Sequence, residues 1–229
     1  MDFVLVLACA TALVFALRKL IKRFPWIFYA LCVALNIVYI ATLTFTLPHL
    51  ARETIFLLMQ KCTLALALFT VVMYIGVLDK GSRASRELRP IRSELSIMAC
   101  LLSVGHMVVY LSAFLPRFLA GTVFAGSFVA FFATAMLLLV LLVVLGVTSF
   151  QVVKRRMSAQ SWVRLQRSAY AFFGLIYLHL VSILLPAALN GGATAMASIA
   201  VYTLLFGAYA VLRARRSFLE KEAGEAEVA

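Results

Sequence analysis

The sequence predicts an all-α, polytopic membrane protein, a bundle of seven transmembrane helices with the N-terminus outside and the C-terminus in the cytoplasm. Three observations carry this prediction. Of the 229 residues, 65% are hydrophobic and only 13% charged, at a mean hydropathy of +1.05, which is more apolar surface than a soluble domain can hide. The apolar residues fall into seven runs, each near the ~20 residues that a helix needs to cross ~30 Å of hydrocarbon. The charges sit in short clusters between those runs, where they read as topology signals.

The runs are 2–17, 25–47, 55–78, 94–115, 121–149, 163–185 and 194–212. The first is the shortest. It has no basic n-region and no convincing small-residue cleavage site, so a retained helix is expected in place of a cleaved signal peptide. Arg18, Lys19, Lys22 and Arg23 follow it, and Lys80, Arg83, Arg86, Arg89 and Arg92 precede the fourth run. Lys154, Arg155, Arg156, Arg164 and Arg167 surround the start of the sixth, and Arg213, Arg215, Arg216 and Lys221 follow the seventh. Seven alternating spans put these 18 of the 21 Lys and Arg on one side, and the positive-inside rule makes that side cytoplasmic. The outer loops are then short: 48–54, 116–120 beginning at Pro116, and 186–193 beginning at Pro186. The tail Phe218–Ala229, charged and rich in small residues, is expected to be unordered.

Several function classes are excluded. The net charge of +12 is spread over four membrane-flanking clusters, so nucleic-acid binding is not expected. Cys9, Cys32, Cys62 and Cys100 lie singly in apolar runs and read as small buried hydrophobes, without a CxxC motif or a c-type haem attachment motif. No glycine-rich phosphate loop follows a strand, and no loop could house a cofactor domain, so no nicotinamide chemistry is expected of the chain itself. No internal repeat is evident.

His106 and His179 are the only histidines deep inside apolar runs. An imidazole in hydrocarbon is costly unless its nitrogens are held, which makes each a candidate functional residue. His106 lies fourteen residues beyond Arg92 and His179 twelve beyond Arg167, on spans running the same way. At 1.5 Å per residue both come out roughly 18–22 Å from the cytoplasmic edge, in the outer half of the bilayer. Two imidazoles at matched depth suit the axial positions of one haem iron; two neutral imidazoles hydrogen-bonded to neighbouring helices are the structural alternative. Gly105 and Gly174 could admit a flat macrocycle or simply allow two helices to pack closely.

A polar cluster, His49, Arg52, Glu53, Gln60 and Lys61, flanks or enters the third run from its outer end. Lys61, roughly 9 Å deep, could snorkel to the interface. Alternatively Lys61 and Arg52, with Arg117, could neutralise haem propionates or bind a quinone headgroup, with His49 or Glu53 accepting a quinol proton. Arg83, Arg86, Arg89 and Arg92 read as lipid-phosphate and topology anchors.

The stretch Arg89–Pro90–Ile91–Arg92–Ser93–Glu94–Leu95 leading to Gly105–His106–Met107–Val108–Val109–Tyr110 resembles the ferric-reductase-like transmembrane family. So do Leu145–Gly146–Val147–Thr148–Ser149, Trp162–Val163–Arg164–Leu165–Gln166–Arg167–Ser168–Ala169–Tyr170 and Tyr177–Leu178–His179. The family includes the haem subunit of the bacterial periplasmic methionine-sulfoxide reductase and, more distantly, membrane NADPH oxidases; its members look like six-helix b-type cytochromes. The resemblance covers about residues 55–212. Two departures are evident. Gln166 stands where the family's Trp-Arg-Leu-His-Arg opening has a histidine, and thirteen residues at 100° each would also turn it well off the face of His179 in a straight helix. An extra N-terminal helix precedes the core.

The resemblance therefore implies one haem b, ligated by His106 and His179, in place of two. It implies a division into N-terminal helices 1–47, a haem-binding core 48–212 and a cytoplasmic tail 213–229. The expected role is a multi-pass cytochrome b of the bacterial inner membrane, in contact with membrane lipid, that passes electrons from a quinol (menaquinone or ubiquinone) to a periplasmic or extracellular redox protein. A haem-free transporter or assembly scaffold with structural histidines is the rival; a transporter more often shows helices broken at mid-membrane.

Overall fold

The computed structural model describes residues 2–79, 81–121 and 126–226; Met1, Lys80, residues 122–125 and 227–229, and the side chains of residues 126–127 and 221–226 lie outside the described residues. Every regular element of the described residues is helical, with no strand among them. In order it forms α1 (Asp2–Arg23), α2 (Pro25–Ala41), α3 (His49–Ile55), a π-helical turn (Phe56–Gln60), α4 (Thr63–Ile75), α5 (Arg83–Leu88), a 3₁₀ turn (Arg89–Ile91) and α6 (Arg92–Leu119). There follow α7 (Gly126–Ser149), α8 (Gln151–Lys154), α9 (Ala159–Gln166), α10 (Ser168–Leu189) and α11 (Ala193–Ala226). Five of the described helical stretches are long and apolar enough to cross a membrane, and a sixth joins them if the bent pair His49–Gln60 and Thr63–Ile75 counts as one span. α2, at 17 residues, is shorter.

α4 is the centre of the bundle. Nine of its 13 residues are buried, with Ala67 wholly so, because α1 and α6 cover one side and α10 and α11 another. By contrast α7 exposes Leu137, Val140, Val143 and Val147. In water such a surface would aggregate; against acyl chains it is satisfied, since a helix leaves no backbone group unpaired.

The elements differ from the sequence expectation in four places. The second run does not remain helical to residue 47: Thr42 and Thr44 hydroxyls bond back to the carbonyls of Tyr39 and Ala41 at 2.6 and 3.0 Å, and Pro48 disfavours helix at Leu47. The third run breaks at Lys61 and Cys62 with a bend of 43°. Helices α6 and α10 continue through Pro116 and Pro186 into the segments expected as loops; α10 ends where Gly191, at φ +82°, lets the Gly192 amide reach back to the Ala187 carbonyl. Finally, the expected unordered tail is helical as far as Ala226, supported by Arg216 pairing with Glu220 one turn on.

The basic clusters converge on one end of the bundle. Arg18 of α1 pairs with Glu87 of α5 at 2.5 Å, and Arg216 of α11 lies 3.8 Å from Asp79. Arg89, Arg92, Lys154, Arg167 and Arg213 line a single cavity. Chain-distant clusters can meet in this way only if the intervening helices return to the same end.

One buried amide joins α2 to α6. Asn36 accepts from the Gly105 amide at 2.6 Å and donates to the Leu101 carbonyl at 2.9 Å, the two groups that a helix would otherwise pair with each other. A Cβ on Gly105 would collide with the Asn36 Oδ1 and come within 2.9 Å of the Tyr39 ring. Gly105 is therefore a helix-packing residue, whereas a Cβ at Gly174 would meet nothing within 4 Å. Replacing Gly105 with alanine is expected to cost about 1–3 kcal/mol, and Asn36→Leu about 1–2 kcal/mol. Denaturant titration in detergent micelles would measure both, and an unchanged midpoint for either would contradict the close packing described.

Candidate functional site

The break in the third run creates a loose carbonyl. The π-helical turn pairs Lys61 N–H with Phe56 O, five residues back, and Cys62 then adopts φ +55°, the one non-glycine among the described residues with positive φ. That conformation costs roughly 1–2 kcal/mol, so the surrounding structure must hold it. Two groups do. The Thr63 hydroxyl donates to Leu57 O at 2.6 Å, and His106 Nδ1 lies 2.7 Å from the Gln60 carbonyl.

The second contact sets the tautomer of His106. A carbonyl can only accept, so Nδ1 carries the hydrogen and Nε2 is left with its lone pair. His179 reaches the same state by a different route. Its Nδ1 lies 3.3 Å from Thr134 Oγ1, and that hydroxyl already donates to the carbonyls of Ala130 and Phe131 at 3.0 and 2.8 Å. With that hydrogen directed at the carbonyls, the imidazole is left to donate from Nδ1 to Thr134 Oγ1. Each histidine is half-buried near the middle of its helix, tied down at Nδ1 and unspent at Nε2.

Aromatic rings connect the two histidines. His106 packs on Tyr110 at a centroid distance of 4.7 Å, Tyr110 stacks on Phe114 at 5.9 Å, Phe114 meets Phe131 at 5.8 Å, and Phe131 stacks on His179 at 5.0 Å. α7 supplies Phe131 and so bridges α6 and α10. Tyr39, on α2, packs its ring against the Gly105 position and is almost fully buried, and its hydroxyl is the one buried side-chain oxygen or nitrogen without a hydrogen-bond partner among the described residues.

The other candidates stay apart from this pair. His49, Arg52 and Glu53 are exposed on α3. Lys61 is exposed at the break, its ammonium 5.4 Å over the Phe56 ring, and sits next to Gln60 in the chain. Arg117 lies 5.9 Å over Phe114, eleven residues past His106 and so roughly 16 Å along α6. Among the described residues no group of three or more His, Cys, Asp or Glu is placed to hold a metal ion, so a bare ion has no cage here. Two imidazoles are nevertheless a sufficient protein donor set for an iron whose other ligands come from a macrocycle. Sequence reasoning missed Asn36, Tyr39, Thr134 and the Gln60 carbonyl. The lone polar side chain of Asn36 in an apolar run was a usable signal; a backbone carbonyl has none.

The family model for ferric reductase like transmembrane components matches residues 61–178, a stretch that includes His106 and stops one residue before His179. An uncharacterized protein of Treponema pallidum (strain Nichols) is 36% identical over 214 residues, which cover 92% of this chain and 59% of that protein. The chain thus spans less than two thirds of its relative's length. No solved structure matches it significantly.

Thr134→Val removes one acceptor from His179 and leaves His106 bound to a backbone carbonyl. In protein labelled with ¹⁵N-histidine, the Nε2–H tautomer should rise at His179 and remain minor at His106; an equal response at both would contradict these separate anchors.

Proposed function

The chain belongs to the family of ferric reductase like transmembrane components, and from that premise we propose that it is a membrane cytochrome b with a single haem between His106 and His179. The observation that carries the reading is the shared state of the imidazoles, each donating from Nδ1 to a fixed acceptor and keeping the Nε2 lone pair for a ligand. A metal-binding histidine needs that second hydrogen bond, which fixes the tautomer and the ring orientation. Such a haem would supply one-electron chemistry at its iron.

The remaining residues take roles by their distance from the pair. Lys61, one residue from the carbonyl that holds His106, is the cation best placed to face a propionate. Arg52 and Arg117 lie further along their helices and suit a quinone headgroup at the membrane surface, with His49 or Glu53 taking a quinol proton. The Tyr39 hydroxyl, buried without a partner, would donate to an oxygen of a bound group, because leaving it unsatisfied costs about 1–3 kcal/mol. Apolar rings from α6 and α7 exclude water from the pair. In this reading seven spans, with α2 as a short one and α3–α4 as a broken one, put the basic end in the cytoplasm and the histidines toward the outer face of a bacterial inner membrane. Electrons then run from a quinol to a periplasmic or extracellular acceptor protein.

One observation favours the rival, a haem-free transporter or assembly scaffold: the third run is broken, as in transporters whose unwound helices line a substrate path. Here the carbonyl freed by the break is occupied by His106. Protein purified from a haem-replete host should give a Soret band and an α-band in a reduced-minus-oxidised spectrum, and their absence would sink the cytochrome reading. His106→Ala or His179→Ala should abolish the six-coordinate low-spin spectrum. Lys61→Gln, which removes a positive charge that favours the reduced haem, should lower the potential by on the order of tens of millivolts.

A further inference from the structure

A second site lies at the opposite end of the bundle from the aromatic series. A cavity of about 500 Å³ opens where the 3₁₀ turn, the start of α6, the end of α7, α8, α9 and α11 meet. That volume lies within the range of ordinary ligand sites, roughly 300–1,000 Å³. Its wall carries Arg89, Arg92, Lys154, Arg167 and Arg213, and no acidic side chain.

Five like charges around one concavity repel each other, and the internal partners do little to offset this. Lys154 and Arg213 lie over the rings of Trp162 and Tyr170, at 4.2 and 5.0 Å, and cation–π contacts leave the positive charge in place. Arg213 reaches a carboxylate only at 3.9 Å, on Glu220, and Arg89 donates to the Ser85 hydroxyl. Among the described residues Arg92 and Arg167 form no ion pair.

The three serine hydroxyls of the wall are already committed. Ser93 donates to Glu94, Ser96 to Arg92 O and Ser149 to Leu145 O, while the Gln166 amide donates to Thr148. The wall also carries the Gln151 amide and the Tyr170 hydroxyl, but five cationic side chains dominate it, and so the cavity favours an anion over a neutral polar molecule. Topology accounts for cations on this side of the membrane, but not for their gathering from five separate places in the fold around one hollow. Ser93 and Gln166 stand thirteen residues before His106 and His179, roughly 20 Å inward along the helices. A hydroxyl and an amide are poor ligands for iron, and so this level of the bundle is free for another occupant.

We propose that the cavity binds a phosphate-bearing anion, either the headgroup of an anionic phospholipid or a small free phosphate compound. The site is independent of the haem reading, and its test needs no cofactor. The full chain is reconstituted in phosphatidylcholine nanodiscs doped with phosphatidylglycerol, and retained lipid is read by native mass spectrometry. In parallel, inorganic pyrophosphate is titrated against thermal unfolding in phosphatidylcholine alone. Arg167→Gln and Lys154→Gln are compared with wild type and with Arg52→Gln, which lies away from the cavity; each lost cation should weaken binding about fivefold. Selective loss of phosphatidylglycerol in the two cavity variants identifies a lipid headgroup as the occupant. Loss of a saturable pyrophosphate shift in the same variants identifies a free phosphate. If helix content is preserved and neither variant differs from wild type with either probe, the proposal is overturned. Two single variants at separate elements keep the test available if one fails to fold.

Discussion

A hydrogen bond between the His106 ring and the Gln60 carbonyl connects most of what is unusual in this molecule. In hydrocarbon neither group can turn to water, so each must find a partner inside the protein. A continuous helix would have no carbonyl to offer, and the bond therefore depends on the π-helical turn and the left-handed Cys62 that follow α3. It also depends on α6 approaching closely, which the Asn36 bridge and the absence of a side chain at Gly105 permit. The strain at Cys62 and the bare Gly105 face are thus two conditions for one contact. Their consequence is an imidazole with a known tautomer.

The two ends of the bundle have opposite chemistry. One end gathers cations from α6, α8, α11 and the turns that precede α6 and α10, while the other gathers phenylalanine and tyrosine rings from α6 and α7. The histidines lie between, with the rings leading from one to the other. An electron carrier needs such a division: a dry, polarisable region around the redox centre, and charged surfaces where the chain meets the membrane interface.

Much of this was legible in the sequence, and the illegible part has identifiable causes. Apolar runs gave the helices because burial in lipid depends on composition over ~20 residues, which a single chain displays openly. The basic clusters gave the common end for the same reason. Helix ends were less readable. Thr42 and Thr44 stopped α2 through side-chain bonds to their own backbone, and Pro116 and Pro186 were tolerated in a last turn where a loop was expected. The break at Lys61 and Cys62 left no mark in residue type, since neither glycine nor proline is there. His106 and His179 were visible because a histidine in an apolar run is rare. Their partners were not, because one is a backbone carbonyl and the other, Thr134, resembles any threonine that bonds back to its own helix.

The central claim is that the Nε2 lone pairs of His106 and His179 meet at one iron. The chain has only three histidines, so a His49→Gln protein carries no other imidazole that could complete the pair. Pulsed EPR on the ferric form of that protein, prepared with ¹⁵N-histidine, counts the imidazole nitrogens bound to the metal. Two strongly coupled histidine nitrogens on a low-spin iron are the predicted result. A single coupled nitrogen, or a low-spin centre with none, would contradict it.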